Sequence, residues 1–168
     1  DGVDTVIYQG ASAAVTVFLA GGANGGAATG DILSGVENLV GSAFSDRLTG
    51  DSGANRLDGG DGNDMLSGGD GADQLNGGAG FDYARYDDAV RAGLTVSLRD
   101  GTRNTGAAAG DTFSGIEGLV LGYGDDIGEG DDQANWLYGM AGNDQLFGLQ
   151  GNDTLNGGDG NDMLSGGD

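Results

Sequence analysis

The sequence predicts an all-β chain wound as a parallel solenoid, and three observations carry that expectation. Of 168 residues, 39 are glycine and none is proline. A nine-residue row recurs in one phase, mostly with Gly at its fourth position, Asp or Asn at its sixth and Leu at its eighth. A longer unit lies over the rows, since residues 30–41 realign with 110–122 at an offset of 80. Glycine at this density is incompatible with long helices. It is not collagen either, because Gly does not fall at every third residue. Self-similarity at a fixed period is the mark of a repeat architecture.

The rows justify the elements in order. From Gly41 they read GSAFSDRLT, GDSGANRLD, GGDGNDMLS, GGDGADQLN and GGAGFDYAR. From Leu121 they read LGYGDDIGE, GDDQANWLY, GMAGNDQLF, GLQGNDTLN and GGDGNDMLS, followed by GGD at 166–168. The opening DGVDTVI fits positions three to nine of the same row. The last three residues of a row alternate polar, Leu, polar, a short strand with one inward side chain. The first six are rich in Gly, Asp and Asn, residues of turns and of positive φ. Two rows per coil place alternate strands on two facing sheets. Leu48, Leu57, Leu66, Leu75, Leu137, Leu146, Leu155 and Leu164 then meet as the core. About 1.5–3 kcal/mol per buried Leu hardly offsets the roughly 1–2 kcal/mol of backbone entropy lost at each ordered glycine. A further stabilising term is required.

The longer unit pairs GDILSGVENLVG (30–41) with GDTFSGIEGLVLG (110–122), and VTVFL (15–19) with LTVSL (94–98). The chain divides into two tandem units, 1–78 and 79–168, expected to form one continuous solenoid, the second with an additional row. Both ends fall inside a row, as in a piece of a longer array. Segments 5–40 and 83–120 are expected to be further strands joined by glycine-rich loops, widening the coil. Within them Glu37 and Glu117 stand at the sixth position, either as cation ligands or as hydrogen-bond partners of neighbouring turns. Trp136 and Tyr138 flank Leu137 and point outward, to be covered by a neighbouring strand or loop or to dock a sugar or protein. Arg47 and Arg56 hold comparable positions as solvated counter-charges.

Charge narrows the partners. Twenty-seven acids against six arginines give −21, which repels nucleic acid and anionic lipid and attracts cations. No apolar run is long enough for a membrane span. With no Cys there is no disulfide frame, and with neither Cys nor His, zinc and copper sites are disfavoured. The absence of His also leaves the Gly10–Ala14 elbow without a base. The GGANGG stretch lacks the lysine of a phosphate loop. The acid pairs Asp87/Asp88 and Asp125/Asp126 read as chance adjacency among many surface acids, so no catalytic residue is expected. In a two-row coil, however, Asp64 and Asp82 fall 18 residues apart on one edge, as do Asp144 and Asp162. Such a ladder repels itself unless a hard cation lies between coils. Carboxylate and carbonyl oxygens suit Ca²⁺ at about 2.3–2.6 Å.

The rows at Gly59–Ser67, Gly68–Asn76, Gly139–Phe147, Gly148–Asn156 and Gly157–Ser165 resemble the RTX (hemolysin-type) calcium-binding nonapeptide, G-G-x-G-x-D-x-U-x. The resemblance implies a right-handed parallel β-roll whose six-residue turns bind several Ca²⁺ ions between coils, in bacterial proteins secreted unfolded by a type I system. Carried over by position, the implied metal-site residues are the carboxylates Asp46, Asp64, Asp73, Asp82, Asp126, Asp144, Asp153 and Asp162. The implied turn glycines are Gly60, Gly62, Gly69, Gly71, Gly78, Gly80, Gly142, Gly151, Gly158 and Gly160. Asn55 and Asn135 depart from the pattern at the sixth position, and Phe44 and Gln133 at the fourth, so weaker sites or caps are expected there. The function implied is a calcium-dependent structural module, a stabiliser and spacer without catalysis of its own. Two other readings stand beside it. One is polysaccharide binding, in the manner of the accessory modules of alginate epimerases. The other is self-association through exposed strand edges at the solenoid ends.

Overall fold

A computed structural model of the chain describes residues 2–87 and 93–168. Asp88, of the pair Asp87/Asp88, lies outside the described residues. The elements are almost all three-residue strands, as the rows require. They are β1 (Thr5–Ile7), β2 (Val15–Phe18), β3 (Gly25–Gly26), β4 (Asn38–Val40), β5 (Arg47–Thr49), β6 (Arg56–Asp61), β7 (Met65–Ser67), β8 (Gln74–Ala79) and β9 (Tyr83–Arg85). There follow β10 (Thr95–Ser97), β11 (Thr112–Ser114), β12 (Gly118–Val120), β13 (Ile127–Glu129), β14 (Trp136–Tyr138), β15 (Gln145–Phe147), β16 (Thr154–Asn156) and β17 (Met163–Ser165). Two short 3-10 turns, Gly101–Arg103 and Gly106–Ala108, lie between β10 and β11.

These strands form the expected all-β, parallel β-roll. Successive rows alternate between sheets, and each strand pairs in parallel with the strand two rows on, eighth position over eighth position. Thus Leu48 pairs with Leu66, Leu57 with Leu75, Leu137 with Leu155 and Leu146 with Leu164. An eight-stranded sheet, β16-β14-β12-β9-β7-β5-β2-β3, runs through residues of both repeat units. The other strands form a five-stranded sheet, β1-β4-β6-β8-β11, and a four-stranded sheet, β10-β13-β15-β17. The strand β9 is where the two units meet. It pairs with β7 on one side and with β12 on the other.

Six of the eight expected core leucines are fully buried, namely Leu48, Leu57, Leu66, Leu75, Leu137 and Leu146. Leu155 is half-buried, and Leu164, in the last row of the sequence, is 47 % exposed. The inter-row segments add Val15, Val17, Leu39, Tyr86, Leu94, Val96 and Leu119 to the core, and Leu121 joins them from the first row of the second set. They are not simply wider coils. β2 turns back on β3 as an antiparallel pair, and β11 leaves its own unit to close the sheet edge at β8. Trp136 is not covered by a strand or loop. It is 41 % exposed and packs against Phe81 at 5.3 Å and Tyr138 at 6.5 Å between ring centroids. Arg56 is exposed beside Asp58, whereas Arg47 lies over the Phe18 ring at 5.9 Å.

Candidate metal centre

The turns between strands line the edges of the roll, and each sixth-position residue ties two coils together. In six rows the carboxylate Oδ1 accepts the backbone amide of the sixth-position residue one coil earlier. Asp64 accepts from Asp46 at 2.7 Å, Asp82 from Asp64 at 2.7 Å and Asp73 from Asn55 at 2.8 Å. In the second unit Asp144 accepts from Asp126, Asp153 from Asn135 and Asp162 from Asp144, at 2.9–3.0 Å. Where the row pattern is interrupted other acids continue the ladder. Asp111 Oδ1 accepts from Asp73, Glu117 from Asp82 and Glu37 from Asp4. Both glutamates are therefore hydrogen-bond partners of neighbouring turns, one of the two roles the sequence left open.

The second carboxylate oxygen separates the rows into two kinds. In the rows starting at Gly41, Gly50, Leu121 and Gly130, the second-position amide turns inward and caps the sixth-position side chain. Ser42 N donates to Asp46 Oδ2 at 2.5 Å, and Gly122 N to Asp126 Oδ2 at 3.0 Å. Asp51 N donates to Asn55 Oδ1 and Asp131 N to Asn135 Oδ1, both at 2.8 Å. The other oxygen of Asp46 accepts from Val15 N and that of Asp126 from Leu94 N, so both carboxylates are fully engaged. Asn55 and Asn135 go further and donate their side-chain amides to the carbonyls of Glu37 and Glu117.

In the rows starting at Gly59, Gly68, Gly77, Gly139 and Gly148 no such cap forms. Oδ2 of Asp64, Asp73, Asp82, Asp144 and Asp153 is buried with no hydrogen-bond partner. An unpaired buried oxygen costs about 1–3 kcal/mol, more when charged. The cause is the second-position backbone, which takes a positive φ in each of these rows. Gly60, Gly69 and Gly78 adopt it at φ 98–101°. Met140 and Leu149 hold it at φ 78° and 80°, where a side chain is strained. That strain, kept where the cap is lost, marks the turn as built to leave the oxygen open. Row Gly157–Ser165 shares the geometry, with Gly158 at φ 93° and Asp162 less buried at the end of the roll.

The turn glycines expected from the sequence, Gly60, Gly62, Gly69, Gly71, Gly78, Gly80, Gly142, Gly151, Gly158 and Gly160, all have φ between 93° and 150°. Coil also meets coil closely here. A Cβ on Gly62 would stand 2.8 Å from the Phe44 carbonyl oxygen, and one on Gly71 2.5 Å from that of Gly53. Backbone carbonyls are thus packed into the space between successive turns, alongside the open carboxylate oxygens.

The electrostatics of these oxygens call for a cation. Burial, opposed by the amide hydrogen bond and reinforced by neighbouring acids, raises Asp64 and Asp73 to about 7. Burial also raises Asp82 and Asp144. Among the described residues no three acidic side chains cluster to form a cage. Any ion must therefore share one carboxylate per turn with backbone carbonyls, an all-oxygen set of the kind that suits Ca²⁺. When bound, the ion would supply the missing positive partner of Oδ2 and join adjacent coils.

Fold and site together define a parallel β-solenoid whose turns are prepared for oxygen-bound cations. The RTX calcium-binding nonapeptide repeat model matches in four overlapping copies, over residues 31–66, 49–84, 121–155 and 139–168. These cover more than half of the chain, which belongs to that family. No curated protein matches it in sequence.

Proposed function

We propose that this chain is a calcium-driven folding and spacer module of a secreted bacterial protein, exported unfolded through a type I route and closed by extracellular calcium. The row of buried, unpartnered Oδ2 atoms at Asp64, Asp73, Asp82, Asp144 and Asp153 carries the reading. Without a cation these oxygens oppose folding; with one, each becomes a staple between coils. The ion binds only the folded turns, so each site stabilises by about 2.7 kcal/mol when calcium is 100-fold above its Kd. Affinities of extracellular calcium modules, roughly 10⁻⁴–10⁻³ M, keep the chain open inside a cell and close it outside. Stacked coils that share ions respond together. The test is a calcium titration of chelator-treated protein followed by far-UV circular dichroism, with Mg²⁺ as control. A cooperative coil-to-β transition with Ca²⁺ alone is expected, and full β structure in excess chelator would refute the reading.

A second reading, glycan binding, is favoured by the aromatic cluster on the eight-stranded sheet. Phe81, Tyr83, Trp136 and Tyr138 form a chain of ring contacts beside a shallow groove lined by Met65, Arg85, Val120 and Met140. Flat exposed rings stack on sugar faces. Loss of oligosaccharide affinity on Trp136→Ala, measured with calcium present, is the expected result. Absence of any affinity in the parent chain would remove this reading and leave the first intact.

A further inference from the structure

The fifth position of a row carries a second ladder, which runs against the first. The sixth-position side chain accepts an amide from the coil before it, whereas the fifth-position side chain accepts one from the coil after it. Asn63 N donates to Ser45 Oγ and Phe81 N to Asn63 Oδ1, both at 3.0 Å. In the second unit Asn143 N donates to Asp125 Oδ1 at 2.7 Å and Asn161 N to Asn143 Oδ1 at 3.1 Å. The Asn143 side-chain amide adds a further bond to Asp125 Oδ1 at 3.1 Å.

These bonds lie on one edge of each unit, in the rows that start at Gly41, Gly59 and Gly77 and at Leu121, Gly139 and Gly157. The alternate rows place Ala54, Ala72 and Ala134 at the fifth position, with Asn152 the exception, and a methyl group accepts nothing. The difference bears on the carbonyls between coils. The N–H of a fifth-position residue and the C=O of the fourth belong to one planar trans peptide and point opposite ways. An acceptor that holds the N–H toward the coil before therefore holds the C=O toward the coil after. Gly62 O faces Gly80 and Gly142 O faces Gly160, each so closely that a Cβ there would collide with the oxygen. Among the open rows, those of Asp64, Asp82 and Asp144 have this peptide braced, by Ser45, Asn63 and Asp125. In those of Asp73 and Asp153 the fifth-position residue one coil earlier is Ala54 or Ala134.

We infer that Ser45, Asn63 and Asp125 are positioning residues for the cation, and that the open rows form two classes of calcium site. In the braced class, at Asp64, Asp82 and Asp144, the peptide carrying the fourth-position carbonyl is held before the ion arrives. The buried, unpartnered Oδ2 then meets a carbonyl already in place. In the unbraced class, at Asp73 and Asp153, the same oxygen is buried and open, but the peptide is ordered only as the ion binds. Preorganised ligands bind more tightly because less ordering is left to the binding step. One neutral hydrogen bond is worth about 2- to 10-fold in affinity. The brace matters only if calcium binds as proposed above, and it sets which sites fill first.

Calorimetric calcium titration tests this, with an osmolyte holding the roll folded before calcium is added and circular dichroism confirming the fold, so that affinity is read apart from folding. The parent chain should bind calcium in two affinity classes. Ser45→Ala with Asn63→Ala should weaken sites of the tighter class by about 2- to 10-fold. The exchange Ser45→Asn with Asn63→Ser, which keeps both acceptors, should restore them. Ala54→Asn with Ala134→Asn, at exposed positions, should tighten the weaker class by a similar factor. This pair adds acceptors and keeps the test open where the alanine pair does not fold. A parent chain with a single class, or affinities that the folded variants leave unmoved, would overturn the inference. A folded parent chain that binds no calcium would instead fail the proposed function.

Discussion

Replacing Asp64 by Asn exchanges an open carboxylate oxygen for an amide donor, the chemistry already present at Asn55, whose Nδ2 donates to Glu37 O at 3.0 Å. The Asp46 amide keeps its acceptor, because Oδ1 is retained. What changes is Oδ2, buried without a partner and surrounded by Asp46, Asp82 and Asp58 as repelling charges. The sign of the effect therefore depends on the cation. With calcium at 100-fold above Kd, losing one site removes about 2.7 kcal/mol, which for a chain of this length lowers Tm by about 5–11 °C. In chelator, with an osmolyte keeping the roll folded, the same substitution removes an unpaired buried charge and should stabilise by about 1–3 kcal/mol. Thermal melts by circular dichroism in calcium and in chelator, for parent and variant, give both numbers. Destabilisation of equal size in both conditions would refute the reasoning, because Asp64 would then be an ordinary structural hydrogen-bond acceptor.

Other outcomes follow from the same geometry. Leu149→Gly relieves a left-handed backbone costing about 1–2 kcal/mol and adds about 0.5–1 kcal/mol of chain entropy in the unfolded state, so denaturant melts in calcium should show a gain of about 0.5–1 kcal/mol. Asn135→Asp loses the donor to Glu117 O while the Asp131 amide still caps the side chain; calorimetric calcium stoichiometry should not rise, and stability in chelator should fall by about 1–3 kcal/mol. Leu146→Ala, at a fully buried position, should cost about 2–5 kcal/mol, and Leu164→Ala, at the half-exposed last coil, well under 1 kcal/mol by the same melts. Asp64 and Asp73 carry folded-state values of about 7 against 3.8, so the calcium-free folded chain binds protons that the unfolded chain releases. Their contribution is complete below 3.8 and lost as pH rises through about 7. Chelated protein should thus be more structured at about pH 5 than at about pH 8, as read by far-UV circular dichroism.

The architecture was legible in the sequence because its period is short and strict. Leu48, Leu57, Leu66 and Leu75 recur every nine residues, and the two-row coil considered from that spacing pairs Leu48 with Leu66, as the structure does. The site was legible only in part. All the sixth-position acids fall on the edges as expected, yet Asp46 and Asp126 are closed by Ser42 N and Gly122 N while Asp64 and Asp144 are open. The distinguishing feature is a peptide orientation at the second position. Gly in that place is a usable signal in GGDG rows, but Met140 and Leu149 adopt the same φ without the residue that advertises it. Segments 5–40 and 83–120 were harder, since their folding rests on long-range contacts. Asp111 gains its place from Asp73 and Tyr86, 38 and 25 residues away, and only its alignment with Asp31 hinted at a shared role.

The capped rows give the module a memory of its fold. At Asn55 and Asn135 a side-chain amide supplies the link to the preceding glutamate segment, and at Asp46 and Asp126 backbone amides satisfy both oxygens. These four turns need nothing from solution. When calcium falls, the roll should therefore not dissolve evenly along its length. On the proposed function, the open rows 59–85 and 139–165 should lose order first and residues 41–58 and 121–138 last. Each repeat unit thus carries its own starting template. If the proposed calcium-driven folding holds, winding should begin at these two places and run outward from each.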